Sequence, residues 1–351
     1  GNTLQLNMTA AGSVIYETTG DWTLESLDGQ PVVEGSVIAA GVGNLETADE
    51  LMHRRSVDLA YSLDRLAMQQ ANNKGFPILV DVYTGDEERQ SHTVDGATLP
   101  HYGLDTTGLT LATTIDIAER PVMLFANYSD EDLDLDSNTH RIRAKGARVG
   151  VSTDSLFQIG GIDFGSHLVI GRTEHDGDRE VMINTTGSTG SIQQESEWRS
   201  DMWEIGVSAR YKKTVTPSVT FTLTPEMNVH QERIEAYQES EQFSWDKRNI
   251  TQGRAAINSS FQYVVSEKTN IAAGLNLWHR EVLSGKTADY TLAGTQVSYE
   301  DPMHEDQGLS LQLSLNHMLN ENFSLSATAA GNRTTEETDG WQIGVSLSGH
   351  F

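Results

Sequence analysis

The chain has 351 residues, no cysteine, and 24 Lys+Arg against 50 Asp+Glu, for a formal charge of −26 at pH 7. That charge argues against non-specific binding to nucleic acid or to anionic membrane surfaces. The missing thiol excludes disulfide frameworks, thiolate metal sites and cysteine nucleophiles. No run approaches the ~20 apolar residues of a membrane helix, but a membrane β-barrel, where only alternate residues face lipid, stays open.

Residues 1–44 read as short β-segments. Leu4, Leu6 and Met8 alternate with polar neighbours; Val14 and Tyr16 follow, then Trp22 and Leu24, then Val32, Val33, Val37 and Ile38. So short a stretch cannot build an independent core, and it reads as the end of a larger β-structure. The chain opens at Gly1-Asn2-Thr3 without a charged and apolar leader. An exported protein beginning here is expected to be a mature piece or an excised fragment.

A helix is expected next, within a linker-and-helix region of residues 45–75. Thr47-Ala48-Asp49-Glu50 matches the capping box, in which the first residue caps the helix and the fourth reaches back. From there to Asn73 there is neither Gly nor Pro, and Glu50, Arg54 and Asp58 fall at i, i+4 spacing. Leu59, Leu63, Leu66 and Met68 give a partly apolar side, and Asn72-Asn73-Lys74-Gly75 reads as the end. At ~1.5 Å per residue the helix would be about 40 Å long. Arg54, Arg55, Asp58, Asp64 and Arg65 forbid it from lipid. Taken alone, it reads as an amphipathic helix on a soluble domain. Followed at once by a barrel pattern, it reads as a helix inside a polar lumen.

Dyad alternation fills the rest, residues 76–351. It starts at Phe76, Ile78, Val80 and Val82, continues through Leu109, Leu111, Ile115 and Ile117, and again through Val122, Leu124, Ala126 and Tyr128. Two mixed segments follow, near 141–152 and 158–173. The pattern returns at Trp203–Tyr211, Val219–Val229, Ile257–Val265, Ile271–Leu277, Leu309–Leu319 and Phe323–Ala329. At the end Trp341, Ile343, Val345 and Leu347 alternate with Gln342, Gly344, Ser346 and Ser348, and the chain stops on Phe351. Side chains of a strand point to opposite faces in turn, so each segment has one greasy and one polar or small face. The count is about twelve strands of about ten residues, the length of a tilted membrane strand.

Connections give an independent test. Tight ones are expected at 116–121, 153–156, 212–218, 266–270 and 319–322. Between them lie long polar ones at 84–103, 129–140, 174–200, 231–248, 281–308 and 332–340. Short and long alternate, as in an up-and-down membrane barrel; a β-sandwich with Greek-key crossovers has no reason to do so. The acidic run Asp130, Glu131, Asp132, Asp134 and Asp136 falls in a long connection and reads as a solvated, self-repelling loop.

With the helix leading into the first strand, about twelve amphipathic strands after it, and a terminal strand ending in Phe351, the chain resembles a type Va autotransporter translocator unit. The resemblance covers about residues 48–351. It implies an all-β, transmembrane antiparallel up-and-down barrel of about twelve strands in a Gram-negative outer membrane, with the helix through its lumen. It implies export of an N-terminal passenger to the cell surface, with residues 1–44 as the C-terminal stub of that passenger, facing the exterior. Trp341, Ile343, Val345, Leu347 and Phe351 then resemble the signal read by the barrel assembly machinery. The partners implied are outer-membrane lipid and lipopolysaccharide, that machinery, periplasmic chaperones and the chain's own passenger. A monomer without cofactor, metal, nucleic acid or catalytic residues is expected. The stub and helix are also similar to those of autotransporters with subtilisin-like protease passengers.

Within the lumen, Arg54, Arg55 and Arg65 are expected to meet wall carboxylates such as Asp116, Glu204 or Glu226, with Asp58 on the same helix. Asn72-Asn73 is a candidate for passenger release by asparagine cyclisation, against the plainer reading of a helix C-terminal turn. Competing functions are a barrel enzyme using His175, His230 or His279 near the strand ends with neighbouring carboxylates, a narrow substrate-selective porin, and an adhesin acting through acidic loops.

Overall fold

The computed structural model describes residues 14–27, 30–41, 48–70, 77–94, 97–99, 101–135, 140–185, 188–240, 243–292, 295–300 and 305–350. In chain order the elements are β1 (Val14–Leu27), β2 (Gln30–Gly41), α1 (Ala48–Gln70), β3 (Pro77–Arg89), β4 (His92–Val94), β5 (Ala97–Leu99), β6 (Tyr102–Ile117) and β7 (Arg120–Leu135). Then come β8 (His140–Ile159), β9 (Ile162–Thr185), β10 (Ser188–Thr216), β11 (Val219–Ile234), β12 (Tyr237–Ser240), β13 (Phe243–Trp245) and β14 (Arg248–Ser266). The last are β15 (Thr269–Ser284), β16 (Thr287–Leu292), β17 (Thr295–Glu300), β18 (Glu305–Met318), β19 (Phe323–Thr334) and β20 (Thr338–His350).

Twelve strands close into one antiparallel ring: β3-β6-β7-β8-β9-β10-β11-β14-β15-β18-β19-β20. The last strand pairs with the first from Thr338↔Arg89 to His350↔Pro77, which leaves the ring no free edge. Closure satisfies every ladder N–H and C=O, the condition for crossing hydrocarbon with strands. No described helix is long and apolar enough to cross a membrane. The dyad pattern sorts the two faces. In β20, Trp341, Ile343, Val345 and Leu347 face outward and are exposed, while Gln342, Ser346 and Ser348 are buried toward the lumen. The same outward stripe runs through Leu309, Leu311, Leu313 and Leu315 of β18.

At one rim the connections are tight. Ile117 pairs with Arg120 across Ala118 and Glu119, both at positive φ (51° and 63°), the mirror-image turn that suits strand twist. The turn expected at 153–156 lies further on. A bulge interrupts the β8–β9 register between Thr153 and Phe157, pairing resumes to Ile159↔Ile162, and Gly160-Gly161 (φ 59° and 83°) makes the reversal.

At the other rim, much of what reads as loop is ladder. β9 and β10 stay paired from Tyr211↔Ile162 to Ser188↔Thr185, strands of 24 and 29 residues. The reason is that polar residues extend a strand in water as readily as apolar ones extend it in lipid, so the apolar stripe marks the membrane and not the strand. β12, β13, β16 and β17 form a separate four-stranded sheet from the two longest connections, and β4 with β5 a short hairpin. The described part of the N-terminal region is the hairpin β1–β2; β2 pairs with the far end of β9 at Val37↔Asn184 and Ile38↔Ile183. Thr47 of the capping box lies outside the described residues.

Candidate functional site in the barrel lumen

The helix α1 stands inside the ring, and its 23 residues span about 35 Å. Its contacts fix its direction. Arg54 reaches Glu87 and the Trp341 carbonyl, Arg65 reaches Asp81, and Gln69 donates to the Ser346 carbonyl. Thus α1 runs antiparallel to β3 and parallel to β20, from the long-connection rim down to the tight-turn rim.

Three guanidinium groups tether it. Arg54 Nη1 lies 3.2 Å from Glu87 Oε2, and Arg54 Nε lies 3.0 Å from Asp58 Oδ1 one turn along the helix. Asp58 also accepts from Gln342 Nε2 at 2.8 Å. Arg55 bridges two strands, with Nε 2.6 Å from Glu131 Oε2 and Nη1 3.1 Å from Glu232 Oε1. Arg65 grips Asp81 with two parallel bonds of 2.6 and 2.8 Å and donates to Gln342 Oε1 at 3.0 Å. Ser62 donates to Asp81 at 2.6 Å, and its hydroxyl lies 2.7 Å from that of Thr110. All these side chains are buried. A buried charge is tolerable only when paired and hydrogen-bonded, and the forked guanidinium matches a carboxylate edge to edge.

The wall makes room for these heads with glycine. A Cβ on Gly344 would fall within the Arg65 guanidinium, and one on Gly85 would collide with Arg54 and lie 2.7 Å from the Trp341 carbonyl. Between the tethers, Leu59 and Leu66 bury against Leu79, Ala112, Met123, Phe125, Val169 and Met202 of the wall.

The carboxylates singled out from the sequence do not hold the helix. Glu204 faces the lumen but takes His167 Nε2 at 2.9 Å and His230 Nδ1 at 3.2 Å. Glu226 takes Arg254 Nη1 at 2.7 Å. Asp116 is exposed at the end of β6, beside the tight turn and paired with Pro121. The partners that sequence reasoning missed are Asp81, Glu87, Glu131 and Glu232. A signal was available: each lies out of phase with the apolar stripe of its strand, as Asp81 does with Ile78, Val80 and Val82. The acidic run, expected as a solvated loop, continues the β7 ladder to Leu135 and divides by the same phase. Asp130 and Asp132 point outward, but Glu131 points inward, is 2 % exposed, and binds Arg55.

The histidines do not gather into an enzyme site. His175 Nε2 lies 3.0 Å from Ser200 Oγ, but the Ser200 hydroxyl donates to Glu232, and His175 Nδ1 has no partner. A triad needs its carboxylate on Nδ1, to orient the base. His230 serves Glu204, and His279 lies on the outward face of β15 between Leu277 and Glu281. Asn72, Asn73 and Phe351 lie outside the described residues.

The family model described as autotransporter beta-domain matches residues 89–330, more than half of the chain. The chain belongs to that family. It is similar in structure to the translocator domain of the autotransporter NalP from Neisseria meningitidis, at 11 % identity and a TM-score of 0.65, over 87 % of this chain and 98 % of that one. The transport unit of the autotransporter AIDA-I from Escherichia coli matches at 12 % identity and 0.52, over 78 % and 90 %. The beta domain of the Bordetella autotransporter BrkA matches at 10 % identity and 0.51, over 79 % and 100 %. At such identities these likenesses concern the fold. No curated protein matches the chain by sequence. The chain is thus an autotransporter translocator of the Gram-negative outer membrane, serving export of an attached passenger.

Proposed function

We propose that the translocator is divided into a passenger stub at 1–44, a linker and lumen helix at 45–75, and a membrane barrel at 76–351. The long-connection rim faces the cell exterior and the tight-turn rim the periplasm, so the stub emerges outside. The tethered helix closes the pore once the passenger has passed. The observation that carries this reading is the direction of α1, whose N-terminal end lies at the rim of the long strands and whose Gln69 end lies near the start of β3. A barrel with both strand ends at the periplasmic rim needs a helix in that direction to lead the chain outward.

Trp341, Ile343, Val345 and Leu347 present an unbroken apolar stripe on the last strand, which supports their reading, with Phe351, as the signal for the barrel assembly machinery. Periplasmic chaperones and lipopolysaccharide are the further partners of such a barrel, and the closed ring supports a monomer. The test is surface digestion of intact cells. An epitope placed in β1–β2 is removed by external protease if the stub is outside, and survives until the outer membrane is opened if it is not. Deleting 48–70 should give a folded barrel with a large, steady conductance in planar bilayers; an unchanged closed barrel would refute the plug.

A further inference from the structure

The lumen is not filled evenly along its length. At the long-connection rim the ion pairs are dry: Arg54, Arg55, Glu87, Glu131 and Glu232 have side chains 2–4 % exposed. Toward the tight-turn rim, on the side of β8–β11, they are wet. Arg210 with Asp154 is 31 % and 39 % exposed, Glu226 is 28 % exposed and His167 29 %. The helix face turned to that side carries Ala60 and Asp64, both exposed although α1 lies within the ring. Asp64 lies within electrostatic reach of Glu226, Asp154 and Arg210. A solvent-accessible vestibule therefore runs beside the lower helix.

Above it the helix meets an apolar ring. Leu51 buries among Tyr102, Leu104, Leu133, Leu135, Ile142 and Trp198. Met52, fully buried, packs on Ile250 and Val282, and Ile234 touches both groups. Seven wall strands, β6, β7, β8, β10, β11, β14 and β15, contribute to these contacts. His53 packs on Trp278 with ring centroids 4.6 Å apart and planes tilted by 44°, and the Arg54–Glu87 pair fills the β3–β20 side. The four-stranded sheet lies over the same spot, where Tyr237, Trp245 and Ala288, together with Arg55, Glu232 and Arg248, line a small cavity beside Leu51.

We propose that the seal of the pore is this collar at Leu51 and Met52, and not the helix as a whole. Ions from the tight-turn rim enter the vestibule as far as Ala60 and stop below Met52, because apolar side chains in contact leave no hydration for a moving ion. The charged tethers hold the helix in register; the collar closes the gap. This rests on the plug reading above, and the test separates the two.

The chain has no native cysteine, so single replacements report cleanly. In membrane-embedded protein, Ala60→Cys should react readily with a small charged thiol reagent. Leu51→Cys should react about tenfold slower or more, since it is reached only through local opening. Equal rates at the two positions overturn the collar. In planar bilayers, Leu51→Ser/Met52→Ser should conduct steadily, whereas Ala60→Ser, on the vestibule face of the helix, should not. If deletion of 48–70 opens the pore and the double serine variant, folded as judged by heat-modifiable migration, stays closed, the collar fails and the plug stands. If neither opens it, the plug itself fails.

Discussion

Arg65 and Asp81 form a fully buried, doubly hydrogen-bonded ion pair, 2.6 and 2.8 Å, between the lower half of the helix and the first strand of the ring. Sixteen residues separate them in sequence, and the chain reverses direction between them. Removing one partner strands the other charge in a dry wall, which costs about 3–5 kcal/mol, whereas replacing both by apolar groups of similar volume is near neutral. Arg65→Met should therefore lower the unfolding midpoint of the barrel strongly, and Arg65→Met/Asp81→Leu should recover most of the loss. Denaturant titration followed by heat-modifiable electrophoresis measures both.

Neighbouring carboxylates of one acidic run should behave differently. Glu131 sits between Arg55 and Arg148, at 2.6 and 3.6 Å, with under a twentieth of its surface exposed. Glu131→Ala should cost about 3–5 kcal/mol by leaving those cations uncompensated. Asp130→Asn, one residue away on the outward face, should change stability by no more than about 0.5 kcal/mol. Equal effects in the same titration would mean that the inward and outward faces of β7 are wrongly assigned.

Glycine in the wall sets how closely the helix can approach. Gly344→Val would push its side chain into the Arg65 guanidinium and should cost about 1–3 kcal/mol through overpacking. Gly331→Ala is the control, since its nearest neighbour would be 3.8 Å away. Thermal unfolding of the two variants should separate them clearly.

What the sequence made legible follows from what lipid enforces. Hydrocarbon touches one stripe of each strand, so Leu309 to Leu315 or Trp341 to Leu347 can be read by eye, and the strand count follows. The polar lumen imposes no such uniform rule. It accepts Gln342, Asp81 or Arg148 wherever a partner faces it, and partners such as Arg55 and Glu232 are 177 residues apart in sequence. Phase alone gave their inward direction; only the register of the closed ring gave their level. The ends of the strands were hidden too, because the β9–β10 ladder continues into water through polar stretches such as Asp176 to Glu180 and Gln193 to Glu197, which break the apolar stripe.

The lipid stripe has its own test. Leu313 is 66 % exposed and stands in register with Ala273 and Ala329, on the outward face of β18. Leu313→Arg should cost about 2–4 kcal/mol in bilayers, while Gln312→Arg, facing the lumen next door, should cost far less. Refolding into lipid vesicles at a series of denaturant concentrations gives both values.

The most direct measurement concerns the helix within the ring. The hydroxyls of Ser62 and Thr110 are 2.7 Å apart across the lumen wall. In the otherwise cysteine-free chain, Ser62→Cys/Thr110→Cys, embedded in membranes, should join rapidly under mild oxidation or with the shortest bis-thiol linker, and Ser62→Cys/Leu109→Cys, with the second thiol facing lipid, should not. A folded barrel in which the first pair stays unlinked, or in which both pairs link alike, would contradict a helix standing inside the barrel.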